Sequence, residues 1–362
     1  MKRLNLFIVL LGLLFPAMSL AMDHTKPQLL EDKFYKEYWE QHFLFEDGTF
    51  VTAQFLVANF PWPVGKDHGI MIATVVSPEG ERTIIKNGRN PGEWGFDPDK
   101  FSIFIHTHRL KSENGVFDLH LGSDDGNAVN ATFTSKIPPF DHEKFTRKKG
   151  SMKSSVYLPF FEGRGQWQIY QGEGKPLKKA EGKIQGFATH TITTGRLETV
   201  LKSWLRVNGL GREDGQPLPF LSARELPDGT RDTILALKGA DGTVTEFSNV
   251  TIDYRDIKKE GKHSSYPTII KLKGENGAES LSGTIRLSRK IDHFNIYDHL
   301  NFFERSFAMS RASVTNYRYI ADYDLDHVTA SGTQKLTGKA LSEYQDILQP
   351  RKKKKKRKRR RR

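Results

Sequence analysis

The chain has 362 residues, with 56 Lys and Arg against 43 Asp and Glu, and a formal charge of +13. One run, Arg351 to Arg362, supplies nearly all of that excess, and Lys2 and Arg3 supply the rest, so residues 22–350 are close to neutral. A basic face spread over the domain is excluded, and specific nucleic-acid binding with it. There is no Cys, which removes disulfides, thiol nucleophiles, lipoprotein attachment and thiolate metal sites.

In chain order, Lys2 and Arg3 precede an apolar run from Leu4 to Phe15. Pro16 breaks it, and Ser19-Leu20-Ala21 sets small residues before a cleavage point. The pattern predicts an export signal over 1–21 and a periplasmic or secreted protein. No later stretch offers the ~20 continuous apolar residues of a membrane helix. The body, 22–350, is long enough for about two domains. Gln171 to Lys179 clusters Gly, Pro and Lys and predicts a division into 22–174 and 175–350, with a disordered tail over 351–362.

Helical spacing is scarce. Pro27–Trp39, Arg196–Val207 and Asn301–Ser313 are the candidate short helices. Short alternating runs dominate instead, broken by turn signals at Asp47-Gly48, Ser77–Gly80, Asp228-Gly229, Gly239–Gly242 and Gly274–Gly277. Asp-Gly between apolar runs favours hairpins because both residues tolerate positive φ. The expectation is an all-β protein built as barrels or sandwiches.

His106-Thr107-His108 is the most distinctive local feature. Read as one strand, Phe101–Leu110 puts Phe104, His106, His108 and Leu110 on one face. A hairpin through Asn114-Gly115 pairs Leu110 with Leu119, Arg109 with His120 and Lys111 with Asp118, which turns the His face inward. Two inward imidazoles have three readings: each bonds a buried carbonyl or hydroxyl, each anchors a ligand in an apolar pocket, or both bind a metal. The last needs a third ligand, for which His190 is the one candidate, and the sequence assigns no metal and no cofactor. Asp322 is a weaker acid/base candidate, since an Asp on a strand is usually solvated. Of Trp39, Trp62, Trp94, Trp167 and Trp204, Trp94 sits in the tight loop Asn90–Gly95 and is placed to plug a barrel mouth. No Gly-x-Ser-x-Gly, His-Glu-x-x-His or phosphate-loop pattern occurs.

Several phrases together resemble a known group: Tyr38-Trp39-Glu40-Gln41-His42-Phe43-Leu44-Phe45-Glu46-Asp47-Gly48-Thr49, His68 to Gly80, Gly186-Phe187-Ala188-Thr189-His190, and Tyr317 to Tyr323. The arrangement resembles the AttH-like and survival-factor-like lipocalin superfamily, which includes the carotenoid 1,2-hydratases (hydroxyneurosporene synthases). The resemblance implies two tandem lipocalin-like (calycin) antiparallel β-barrels with an apolar ligand cavity, over about residues 30–345. It places His190 near the barrel junction, although Thr189 stands where relatives often carry Asp.

The resulting expectation is an exported protein that binds a lipid or isoprenoid in a barrel cavity lined by His106, His108, His190, Phe104 and Trp94. The alternative is a hydratase or isomerase using acid/base groups in the same cavity, and a second alternative is an envelope interaction protein with filled barrels. The basic tail's candidate partner is an anionic membrane surface.

Overall fold

The computed structural model describes residues 24–60, 65–97, 99–147, 150–170, 177–211, 215–260, 264–295 and 313–348. The expected export signal, Trp62, nearly all of the helix expected at 301–313 and the basic tail lie outside those residues.

The first sheet contains β1 (Lys36–Phe45), β2 (Phe50–Phe60), β3 (Gly65–Val76), β4 (Arg82–Arg89), β5 (Trp94–Asp97), β6 (Ser102–Ile105), β7 (His108–Glu113), β8 (Val116–Gly122), β9 (Ala128–Thr134), β10 (Phe140–Arg147), β11 (Gly150–Ile169) and β12 (Lys178–Gly195). Their order is β4-β3-β2-β1-β12-β11-β9-β8-β7-β6-β5, with β10 paired to β11 off that path. A single-turn helix, α1 (Leu197–Val200), leads into β13 (Ser203–Gly209), β14 (Leu218–Glu225), β15 (Arg231–Lys238), β16 (Val244–Glu260), β17 (Ser264–Asn276), β18 (Glu279–Asn295), β19 (Ser313–Thr329) and β20 (Gly332–Leu348). These last eight close into a barrel. The expected all-β fold of two barrels is what forms.

The first sheet curls until its edges nearly meet. Trp94 of β5 lies so close to Gly69 of β3 that a Cβ there would fall 2.6 Å from the indole. The indole Nε1–H also donates to the Asp67 carbonyl at 2.7 Å. Trp94 therefore seals the seam of the barrel wall.

The turn signals mostly hold. Asp47-Gly48, Ser77–Gly80, Asp228-Gly229 and Gly239–Gly242 all make tight turns between strands. The Gly274–Gly277 signal is displaced: Gly274 is still paired, and Asn276 faces Glu279 across a shorter turn. Two helix expectations fail. Of Arg196–Val207, only Leu197–Val200 is helical, and Ser203–Val207 is strand because Leu205 and Val207 fill the second barrel while Trp204 and Arg206 face outward. The Pro27–Trp39 segment ends in β1, which needs a partner on both sides, β2 and β12, that no local spacing reveals.

The Gly/Pro/Lys cluster does not separate the two sheets. β12 follows it and pairs with both β1 and β11, so the chain leaves the first barrel only after Gly195.

Each barrel has its own core. The first is filled by aromatics, with Phe133 stacked on Phe117 at 5.8 Å and on Phe161 at 4.2 Å, pairs worth ~0.5–1.5 kcal/mol each beyond burial. The second is lined by five buried tyrosines, Tyr266, Tyr317, Tyr319, Tyr323 and Tyr344, among aliphatics. Between the barrels, Phe50, Val76, Phe187, Leu210, Ile320 and Leu341 form a shared apolar cluster.

Candidate active site

On β1 the odd residues Trp39, Phe43 and Phe45 enter the first core, so Glu37 and Gln41 point inward with them. β12 brings His190 opposite Trp39. The two rings stack at 4.7 Å and 8°, and Phe96 stacks on the indole at 5.8 Å. A carboxylate and an imidazole thus lie in an aromatic interior. His190 Nε2 is 2.7 Å from Glu37 Oε1. The second oxygen of Glu37 accepts from the Tyr35 hydroxyl and from the backbone N–H of Gln28 at 3.0 Å. Burial, then the Glu37 charge, pushes the Tyr35 phenol well above its ordinary range.

The protonation logic is tight. His190 Nδ1 lies 2.6 Å from the carbonyl of His24. A carbonyl only accepts, so Nδ1 carries a proton. The 2.7 Å contact between Nε2 and Oε1 must then hold another, as imidazolium–carboxylate or as neutral imidazole and carboxylic acid. Either way the pair shares one mobile proton. Residues 24–29 form a strap over it, since Thr25 also accepts from the Trp39 indole at 2.7 Å.

Two further polar atoms face this interior without a partner among the described residues, His108 Nε2 and Gln41 Oε1. His108 Nδ1 accepts from the Gly122 N–H at 3.2 Å, which leaves Nε2 as the protonated nitrogen of the neutral ring. Burial, then nearby His106, lowers this imidazole to about 4.

The five residues expected to line a ligand site divide as follows. His190 and His108 are inward. His106 is not: β6 and β7 are separate strands joined at His106-Thr107, with Ile105 opposite His108, and His106 sits exposed in that turn at φ 58°. The same turn inverts the expected face, so Phe104 is 41% exposed while Ile103 and Ile105 enter the core. Trp94 is in the wall. The hairpin through Asn114-Gly115 has the expected register, Arg109 to His120 and Leu110 to Leu119. Asp322 is outward and paired with Lys339. Glu37 and Tyr35 lie in the segment for which helical spacing is predicted, and alternation through Tyr35, Glu37 and Trp39 is the signal that finds them.

A cavity of about 440 Å³ opens at the other end of β12 and is lined by Asn130, Trp167 and Glu181 among others. It does not contain the Glu37–His190 pair.

A second charged cluster lies between the barrels. Arg206, Glu343, Arg318 and Asp292 stand directly opposite one another across β13, β20, β19 and β18, a buried row of alternating sign. From the first barrel, Glu40 meets Arg206 at 2.7 Å and His42 at 3.1 Å. Thr189, which stands where relatives often carry Asp, accepts from Arg206 at 3.2 Å. Burial by itself would raise the Glu40 carboxyl, but Arg206, His42 and Arg318 outweigh it and hold it far below the usual carboxylate range. Glu40, His42 and Glu343 offer donor atoms within 4.8 Å of one another, a spacing a metal could use. Arg206 already places a cation against both carboxylates, so the row fits a metal poorly.

The fold is two antiparallel β-barrels in tandem, lipocalin-like in architecture. The solved structures it is similar to are CghA, also solved with Sch210972 (TM-score 0.60, 11% identity, 88% of this chain and 90% of that one), an AttH-type protein of Nitrosomonas europaea (0.53, 12%, 91% and 95%), and kievitone hydratase of Nectria haematococca (0.52, 11%, 91% and 92%). The likeness spans both barrels and bears out, at the level of fold, the resemblance carried by the sequence phrases. No family model matches the sequence, and no curated protein matches it.

Proposed function

We propose that the first barrel binds an apolar small molecule and performs acid/base chemistry on it, of the hydration, dehydration or isomerisation type. The observation that carries this reading is the 2.7 Å contact between His190 Nε2 and Glu37 Oε1 within an aromatic interior. In hydration of an alkene, the pair gives its proton to carbon, water adds to the cation, and the pair takes the proton back. Such a cycle needs one group that serves as acid and then as base. Tyr35 holds the carboxylate in place, and His108 Nε2 and Gln41 Oε1 supply free polar atoms to orient the substrate. Entry requires the 24–29 strap to lift, because its backbone occupies both partners of the pair. The fold shared with a hydratase supports this reading over binding alone.

The test is incubation with terminal-alkene isoprenoids in heavy-oxygen water, followed by mass spectrometry. Incorporation of label that is lost in Glu37→Gln supports the reading. Tight retention of an unlabelled ligand by the wild-type protein would leave a carrier, with His108 as its anchor. On the sequence features at the two termini, the proposal places the protein outside the cytoplasm, tethered by Arg351–Arg362 to anionic headgroups; release of the full chain from anionic vesicles by high salt tests the tether.

A further inference from the structure

We propose that Lys238 is an amine nucleophile at the cavity between the two barrels, where it condenses with a small aldehyde or ketone to form a Schiff base. This site is separate from the Glu37–His190 pair and does not depend on it.

Lys238 ends β15 and is 1% exposed. Its Nζ donates across the junction to the Pro159 carbonyl of β11 at 2.8 Å and to Asn208 Oδ1 of β13. Its remaining neighbour of note is the Phe220 ring, 5.9 Å away. Two acceptors satisfy the two hydrogens of a neutral amine and leave its lone pair free, whereas the third hydrogen of an ammonium has only the Phe220 ring, 5.9 Å away, to meet. No carboxylate among the described residues offsets the burial, and burial alone lowers this amine to about 7. A buried lysine placed for structure alone is normally paired with a carboxylate.

Lys238 also lines a cavity of about 180 Å³, with Phe160, Leu218, Thr134 and Gln216 around it. That volume is below the ~300–1,000 Å³ of sites for drug-sized ligands, so the fitting substrate is a small carbonyl compound. Its hydrocarbon part meets Phe160 and Leu218. Glu162 and Lys136 are the other titratable groups on the cavity wall. The lone pair of Nζ adds to the carbonyl carbon, forming the C–N bond and a carbinolamine. Loss of its hydroxyl with a proton from nitrogen gives the imine and one water, so no oxidant or reductant is required.

At pH 7 an amine titrating near 7 has about a thousandfold more neutral form than an ordinary lysine. The test is reductive alkylation of the full chain with propanal and cyanoborohydride at pH 7, followed over time by peptide mapping. Lys238 should acquire a propyl group about tenfold or more faster than Lys66, Lys178 and Lys335, whose carboxylate partners raise their affinity for protons. Lys238→Arg should fold and lose only the early label. An unmodified Lys238 peptide, or one labelled no faster than those three lysines, overturns the proposal, and the wild-type map alone suffices to show it.

Discussion

Arg206 of the second barrel holds Glu40 of the first at 2.7 Å, with both side chains 2% exposed. The pair is the point at which a charged row belonging to one barrel is completed by the other. Taking one member away strands the rest in a desolvated junction, which is far costlier than removing a surface ion pair. Arg206→Met should therefore lose about 3–5 kcal/mol, read as a lower urea midpoint. Adding Glu40→Gln and Glu343→Gln should recover part of the loss, because it removes the orphaned charges. A single-variant loss below about 1 kcal/mol, the range of exposed pairs, would show that the row contributes no more than surface charge.

The titrating groups predict a sloping pH profile. His108 binds its proton near 4 in the fold against 6.5 ordinarily. The unfolded chain therefore takes up the proton first, and stability falls as pH drops from 6.5 toward 4, by up to about 3 kcal/mol. Lys238, about 7 against 10.5, acts with the same sign at higher pH, so stability rises from 7 toward 10.5. Glu40 is held below its ordinary 4.5, and the stability it contributes is present above 4.5 and lost below. Thermal midpoints should climb from pH 5 to about 9, and Lys238→Met should flatten the upper limb. A level profile in the wild-type protein contradicts this.

Glu37→Gln and His190→Ala should each lower turnover by about 10²–10⁴-fold, the usual worth of a positioned acid/base group. Tyr35→Phe should cost less, since the hydroxyl only supports the carboxylate. Circular dichroism should stay unchanged in Glu37→Gln, because an amide fills the same volume. Full turnover in Glu37→Gln would remove this pair from the chemistry.

His106→Gly should stabilise the protein by about 0.5–1 kcal/mol, since glycine adopts the positive φ of that turn without strain. Turnover should not change. A loss of activity at constant stability would return His106 to the ligand site.

Much of the architecture was legible along the chain. The Asp-Gly turns and the Asn114-Gly115 hairpin are local devices, and their register follows from a few residues. The facing of His106 and Phe104 was not legible, because a two-residue turn at 106–107 has no Gly, Asn or Asp to announce it. The strand character of Pro27–Trp39 was equally hidden. Its leading residues form the strap, and Tyr35 and Glu37 gain their meaning only from β12.

The sequence by itself determined the all-β class, the lack of Cys chemistry, the near-neutral body and most hairpin turns, because each depends on composition or on neighbours a few residues apart. Only the tertiary structure decided which polar groups lose water. Glu37 meets His190 across 153 positions, and Arg206 lies 137 from Glu343. The partners of such groups, and the water they lose, are set by segments brought close in space, and neither is written in the order of residues.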